Sequence, residues 1–171
     1  RPRTTRVTPG TTRRGGIAKA SAPRALSITA LGNDDTPIGR IYEEKAVVTG
    51  VVGLLATGGS TNHTMHLIAM AAAAGIVLTW KDLAELSHIV PLMTRIYPNG
   101  KADVNHFHAA GGMGLLIREL LKQGLLHEDV TTIMGKGLKG YLVEPKPNSE
   151  GALAWKDRKS NRRTSSHTVT S

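Results

Sequence analysis

The apolar positions of this chain fall into helical patterns separated by glycine and proline punctuation. Residues 43–56 (EEKAVVTGVVGLLA) are apolar on nearly every side, the pattern of a helix buried all round; Gly50 and Gly53 allow a neighbouring backbone to come close. A turn at Thr57-Gly58-Gly59 follows, and Ser60 is placed to cap a second helix over about 61–74, rich in Ala and Met and stopped by Gly75. Ile76-Val77-Leu78 reads as a short strand. Thr79 with Asp82 forms a capping-box pattern for a helix over about 80–89, closed by Pro91. Tyr97-Pro98-Asn99-Gly100 is turn chemistry. The clearest helix starts after Gly111-Gly112, with Met113, Leu116, Ile117, Leu120 and Leu121 on one face. Arg118, Glu119, Lys122 and Gln123 face away, and Gly124 ends it. Thr131–Met134 is a second candidate strand, before a glycine-rich stretch at Gly135–Gly140. These elements predict a mixed, helix-rich α/β piece with no internal repeat.

Composition narrows the function classes. With 171 residues and 40% hydrophobic residues the chain can build one core. A single Phe, two Trp and three Tyr make that core aliphatic. No apolar run reaches the roughly 18 residues of a membrane-spanning helix. Without any Cys, the chain by itself forms no disulfide, thiol nucleophile or cysteine-ligated cluster. It opens at Arg1 with no signal-peptide pattern, which reads as an internal piece.

The net charge of +9 raises the question of nucleic acid, and its placement answers against it. Residues 1–30 carry seven basic and no acidic side chains, and residues 151–171 carry five basic and one acidic. The stretch 31–150 has ten basic and twelve acidic residues, a net charge of −2. A nucleic-acid binder needs a basic surface on its folded part, and aromatic residues among the charges to stack on bases; neither is present. Residues 1–24 and 156–171 lack apolar periodicity and read as irregular basic tails around a segment at 25–155. Arg/Pro/Thr/Ser/Gly-rich sequence of this kind is also what a GC-rich gene gives in a shifted frame, so the tails are either native or foreign to the middle.

Three segments invite chemistry. In Thr57-Gly58-Gly59-Ser60-Thr61-Asn62-His63, two glycines let a ligand approach the backbone at a helix start, where exposed N–H groups and the helix dipole favour an anion. The plain alternative is an ordinary turn with a serine cap. Asn105-His106-Phe107-His108-Ala109-Ala110-Gly111-Gly112 is a second polar stretch, which either faces the first across a pocket or caps its own helix. The pairs His63/His66 and His106/His108 can in principle offer four nitrogens to a metal. No carboxylate completes a known catalytic motif, and no metal ligand is assigned. Gly135-Lys136-Gly137-Leu138-Lys139-Gly140 lacks the phosphate-loop spacing and reads as a flexible loop.

The runs GLLATGGSTNHTMHLIAMAAAAGI (53–76) and VPLMTRIYPNGKADVNHFHAAGGMGLLIRELLKQGLLHEDV (90–130) resemble the dihydroxy-acid/phosphogluconate dehydratase family. TPIGR (36–40) and GYLVEP (140–145) fit it too. GGSTN is common to the family, whereas TGGSTNHT and YPNGKADVNHFHAAGG resemble its phosphogluconate branch. The resemblance covers about residues 25–155 and implies a partial domain of a larger dehydratase. It implies a cytoplasmic, homodimeric hydro-lyase of the Entner–Doudoroff pathway, acting on 6-phospho-D-gluconate with an iron–sulfur cluster (4Fe-4S) and Mg²⁺. The alternatives are a relative acting on dihydroxy acids, or a non-catalytic fragment with nucleic-acid-binding basic tails. Gly58, Gly59, Ser60, Thr61 and Asn62 carry over as substrate-site lining, with His63, Asn105 and His106 as branch-specific contacts. The cysteine ligands of the family are missing, no residue is assigned as catalytic base, and the chain alone is expected to be inactive.

Overall fold

The computed structural model describes residues 12–97, 99–144, 153–154 and 166–167. The described residues form a 3-10 turn (Lys139–Tyr141), two short antiparallel strand pairs and seven α-helices: α1 (Thr12–Ser27), α2 (Ile38–Ile41), α3 (Glu44–Thr57), α4 (Thr61–Ala73), α5 (Trp80–Ile89), α6 (Val104–Ala109) and α7 (Gly112–Lys122). Strands β1 (Thr131–Thr132) and β2 (Gly135–Lys136) pair antiparallel, as do β3 (Leu153–Ala154) and β4 (Ser166–His167).

Helix α3 is apolar all round because it is packed on two sides. Val51 and Leu54 join Leu67 of α4 and Leu83 of α5 in one buried cluster. Val52 and Ala56 join Val90 with Leu116 and Leu120 of α7 in a second. At roughly 1.5–3 kcal/mol for each fully buried aliphatic side chain, these two clusters hold the described domain together.

Helices α3, α4 and α7 end in the same way. Gly59 N–H donates to Leu54 O (3.0 Å), Ile76 N–H to Ala71 O (2.9 Å) and Leu125 N–H to Leu120 O (3.0 Å), each following a glycine with positive φ. This closure explains the missing strand at Ile76–Leu78. Ile76 spends its N–H on α4 and Thr79 is committed to the cap of α5, so irregular chain connects them. The second expected strand, Thr131–Met134, shortens to Thr131–Thr132. Ile133 and Met134 make the turn, and the glycine-rich stretch supplies the partner strand.

On α7 the buried face is Gly112, Gly114, Leu116 and Leu120, with Met113 exposed. The expected stripe is rotated because Gly114 lies against backbone: a Cβ there would stand 2.6 Å from Val143 O. The Arg118 side chain reaches out from the helix to pair with Glu144, and it also bonds Glu119 (3.1 Å).

The ends depart from the irregular tails expected. Residues 1–11 lie outside the described residues, but Thr12–Ser27 is helix α1. Arg24 explains its anchorage: Nε donates to Ile133 O (2.9 Å), Nη1 bonds Ser27 Oγ (3.3 Å) and pairs with Asp34. The carboxyl-terminal tail contains β4, and the rest of residues 156–171 lies outside the described residues.

Candidate functional site

The glycine turn is built by the end of α3 and the start of α4. Gly58 sits in the left-handed region (φ 60°) and reverses the chain, a conformation open to glycine at little cost. A Cβ on Gly58 would also meet Asn99 Nδ2 and Leu92 Cδ1 (2.9 Å). A Cβ on Gly59 would meet the Leu54 side chain. Ser60 caps α4, its Oγ accepting from His63 N–H (3.3 Å). The helical ladder begins with Thr64 N–H to Ser60 O (3.2 Å), so the N–H groups of Thr61 and Asn62 precede it. Gly59, Ser60, Thr61, Asn62 and His63 are all exposed.

Segment 93–99 braces this turn. Met93 N–H donates to Ala56 O (2.8 Å), Thr94 Oγ1 to Thr57 O (2.9 Å) and Asn99 Nδ2 to Gly58 O. Three successive carbonyls at the end of α3, which the helix leaves unpaired, are thus taken by Met93, Thr94 and Asn99 of one irregular returning segment. Sequence reasoning missed this role. Asn99 stood in a turn motif and Thr94 in no motif at all, because the partners lie 41 and 37 residues away. Tyr97, Asn99 and Gly100 of the expected turn lie in turn and bend conformations, closed by Gly100 N–H to Ile96 O (3.1 Å); Pro98 falls outside the described residues.

The same segment leads into the second polar stretch. Tyr97 N–H bonds Ala102 O (2.7 Å), and Asp103 then caps α6, accepting from Asn105 N–H (2.8 Å) and His106 N–H (3.1 Å). His106 Nδ1 lies 2.9 Å from Asp103 Oδ1 and 3.2 Å from Asp103 N. A neutral ring with its proton on Nε2 accepts the backbone N–H; a ring protonated at Nδ1 donates to the carboxylate. Either way Asp103 fixes the ring's orientation. The backbone N–H of His106, then those of Asn105 and the ring itself, hold the Asp103 carboxyl below the usual carboxylate range. Asp103 is a further residue the reading of the sequence left out. Its signal was the three-residue spacing to His106, a capping pattern with His in place of Glu.

The bonds that hold Asn105 and His106 run to Asp103, and the turn is braced by 93–99; a continuous segment, 93–106, therefore serves both stretches. A shallow depression of about 290 Å³ lies elsewhere, between Glu128, Asp129, Lys136, Gly137 and Lys139. Among the described residues no three His, Asp or Glu side chains converge on one point, and the chain has no Cys. The donor set therefore does not fit an iron–sulfur cluster.

The family model for the dihydroxy-acid/6-phosphogluconate dehydratase N-terminal region matches residues 1–141. Its match takes in the amino-terminal basic segment, which the resemblance read from the sequence left out. Among curated proteins, the phosphogluconate dehydratase of Rhizobium meliloti is 60% identical over 147 residues, covering 86% of this chain and 24% of that protein. That of Escherichia coli is 56% identical over 151 residues, 88% of this chain and 25% of its own length. The dihydroxy-acid dehydratase of Acaryochloris marina is 36% identical over 119 residues, 67% of this chain and 21% of that protein. The chain thus spans about a quarter of the length of the relatives it matches. With its motifs, its helical core and a match over most of its length, this chain belongs to the dihydroxy-acid/6-phosphogluconate dehydratase family, in that family's N-terminal region.

Proposed function

We propose that this chain is the part of a phosphogluconate dehydratase that helps bind 6-phospho-D-gluconate for loss of water to 2-dehydro-3-deoxy-6-phosphogluconate. The observation that carries this reading is the contrast in identity: 60% to a phosphogluconate dehydratase, against 36% to a dihydroxy-acid dehydratase. In that reaction C2 loses its proton and C3 its hydroxyl, which leave together as water, and the resulting enol becomes the 2-keto acid as its hydroxyl proton is lost and C3 gains one.

The residues of this chain serve recognition. The substrate is a dianionic phosphate joined to a carboxylate through hydroxylated carbons. The start of α4 offers N–H groups and a favourable dipole to an anion, and the Ser60, Thr61 and Asn62 side chains offer hydrogen bonds to hydroxyls. Gly58 and Gly59 let the turn close tightly on Asn99, Leu92 and Leu54, where a Cβ would otherwise stand. Asp103 orients His106, and Asn105 stands beside it, as contacts that select the phosphogluconate branch. An iron–sulfur cluster with Mg²⁺ is what the family resemblance implies for the whole enzyme, as Lewis acid for the leaving hydroxide. This cysteine-free chain supplies no ligand set for that cluster, and neither the base nor the Lewis acid is assigned within it.

The test is a chimera in which this chain replaces the matched 147 residues of the Rhizobium meliloti enzyme. Turnover of 6-phosphogluconate well above that of 2,3-dihydroxy acids supports the reading. A folded chimera that prefers the dihydroxy acids refutes it.

A further inference from the structure

From Ala46 to Trp80 the chain carries no Asp, Glu, Lys or Arg. For α3 this is explained by burial on two sides. For α4 it is not. That helix buries only Leu67 and Ala71, while Met65, Ala69, Ala72 and Ala73 (i, i+4, i+7, i+8) lie exposed on the opposite face, with Asn62 and His66 as its exposed polar residues. Met65 is 50% exposed, and the uncharged surface continues along the chain to Val77 (85%) and Trp80 (61%). A helix facing water on one side normally carries acidic and basic residues there, and α4 has none.

We infer that this outer face of α4 is an internal docking surface, covered in the whole protein by an uncharged, aliphatic element from the remaining part of the dehydratase polypeptide. The occupant follows from two facts. The family relatives have three quarters of their length outside the matched region. The face has no Asp, Glu, Lys or Arg with which to recognise a charged or nucleic-acid partner. Its position also fits: α4 begins at the glycine turn, so an element seated on α4 would stand beside that turn and bring other groups to it. The inference rests on membership of the family rather than on the choice of substrate.

Methionine oxidation by dilute peroxide, read residue by residue by mass spectrometry, tests it. Met65 should oxidise readily in the 171-residue chain and at least ten-fold more slowly in the chimera with the Rhizobium meliloti enzyme, with half-buried Met93 as the slow reference in both. Equal oxidation of Met65 in a folded chimera overturns the proposal. The substrate assay on that chimera separates the two readings: protected Met65 without turnover of 6-phosphogluconate fails the function alone, and turnover with exposed Met65 fails the docking surface alone. Should the chimera not fold, the chain is mixed with the separately expressed remainder of that enzyme. There Ala69→Glu should weaken association at least ten-fold while leaving the chain's own thermal unfolding unchanged. Unchanged association overturns the proposal, as does no association of the unsubstituted chain. A concentration-dependent dimer of the chain that Ala69→Glu abolishes also overturns it, in favour of a second copy as occupant.

Discussion

At the scale of single residues, two glycines matter for different reasons. Gly58 is held by its backbone conformation, since a side chain there must adopt the left-handed region and also meet Asn99 and Leu92. Gly58→Ala should therefore lower stability by about 1–2 kcal/mol, measured by urea unfolding. Gly114 has an ordinary conformation and is held by space alone, with Val143 O 2.6 Å from where its Cβ would stand. Gly114→Ala should cost about 1–3 kcal/mol as overpacking and should raise hydrogen exchange in α7 and around residues 141–144. A Gly114→Ala protein as stable as the parent would show that the close packing of α7 on Val143 is wrong.

At the scale of elements, the helices and their caps were legible because their signals are local. The caps at Ser60 and Thr79, the stop at Gly75 and the helix after Gly111-Gly112 are each written within a few residues. What stayed hidden depends on distant partners. Helix α1 has little apolar pattern and is anchored by Arg24 reaching Ile133, 109 residues away. The brace from 93–99 onto the glycine turn is likewise made between segments that share no motif. Arg24→Lys, which keeps the charge but loses the planar fork, should speed exchange of the α1 amides several-fold and leave α3 and α7 unchanged. The capping carboxylates give a pH prediction. Asp82, through Thr79, and Asp103, through the His106 backbone N–H, are both held below the usual carboxylate range. Their stabilisation is complete above the unfolded-state value and lost as pH falls through the lower folded value. Helical ellipticity should therefore hold from pH 7 to 5 and decline below about pH 4. A midpoint near pH 6.5 would point instead to a histidine.

At the scale of the whole molecule, the chain spans about a quarter of the length of its dehydratase relatives and contains no cysteine. With no thiolate, the 171-residue chain should show no iron–sulfur absorbance after anaerobic reconstitution and no turnover of 6-phosphogluconate; activity from it would contradict the assignment of substrate binding alone to this chain. Among the described residues no helix is long and apolar enough to cross a membrane. The central claim is that the turn from Gly58 to Asn62, braced by 93–99, faces the substrate. Kinetics beside thermal unfolding for Ser60→Ala and Asn62→Ala, in the chimeric full-length enzyme, tests it most directly. Loss of the Ser60 cap alone costs about 1 kcal/mol of stability. Contact with substrate in the transition state predicts a further fall in kcat/KM of roughly ten-fold or more, with Asn62→Ala losing activity at unchanged stability. Lower stability with kcat/KM unchanged in both variants would contradict the claim and leave the turn a structural cap.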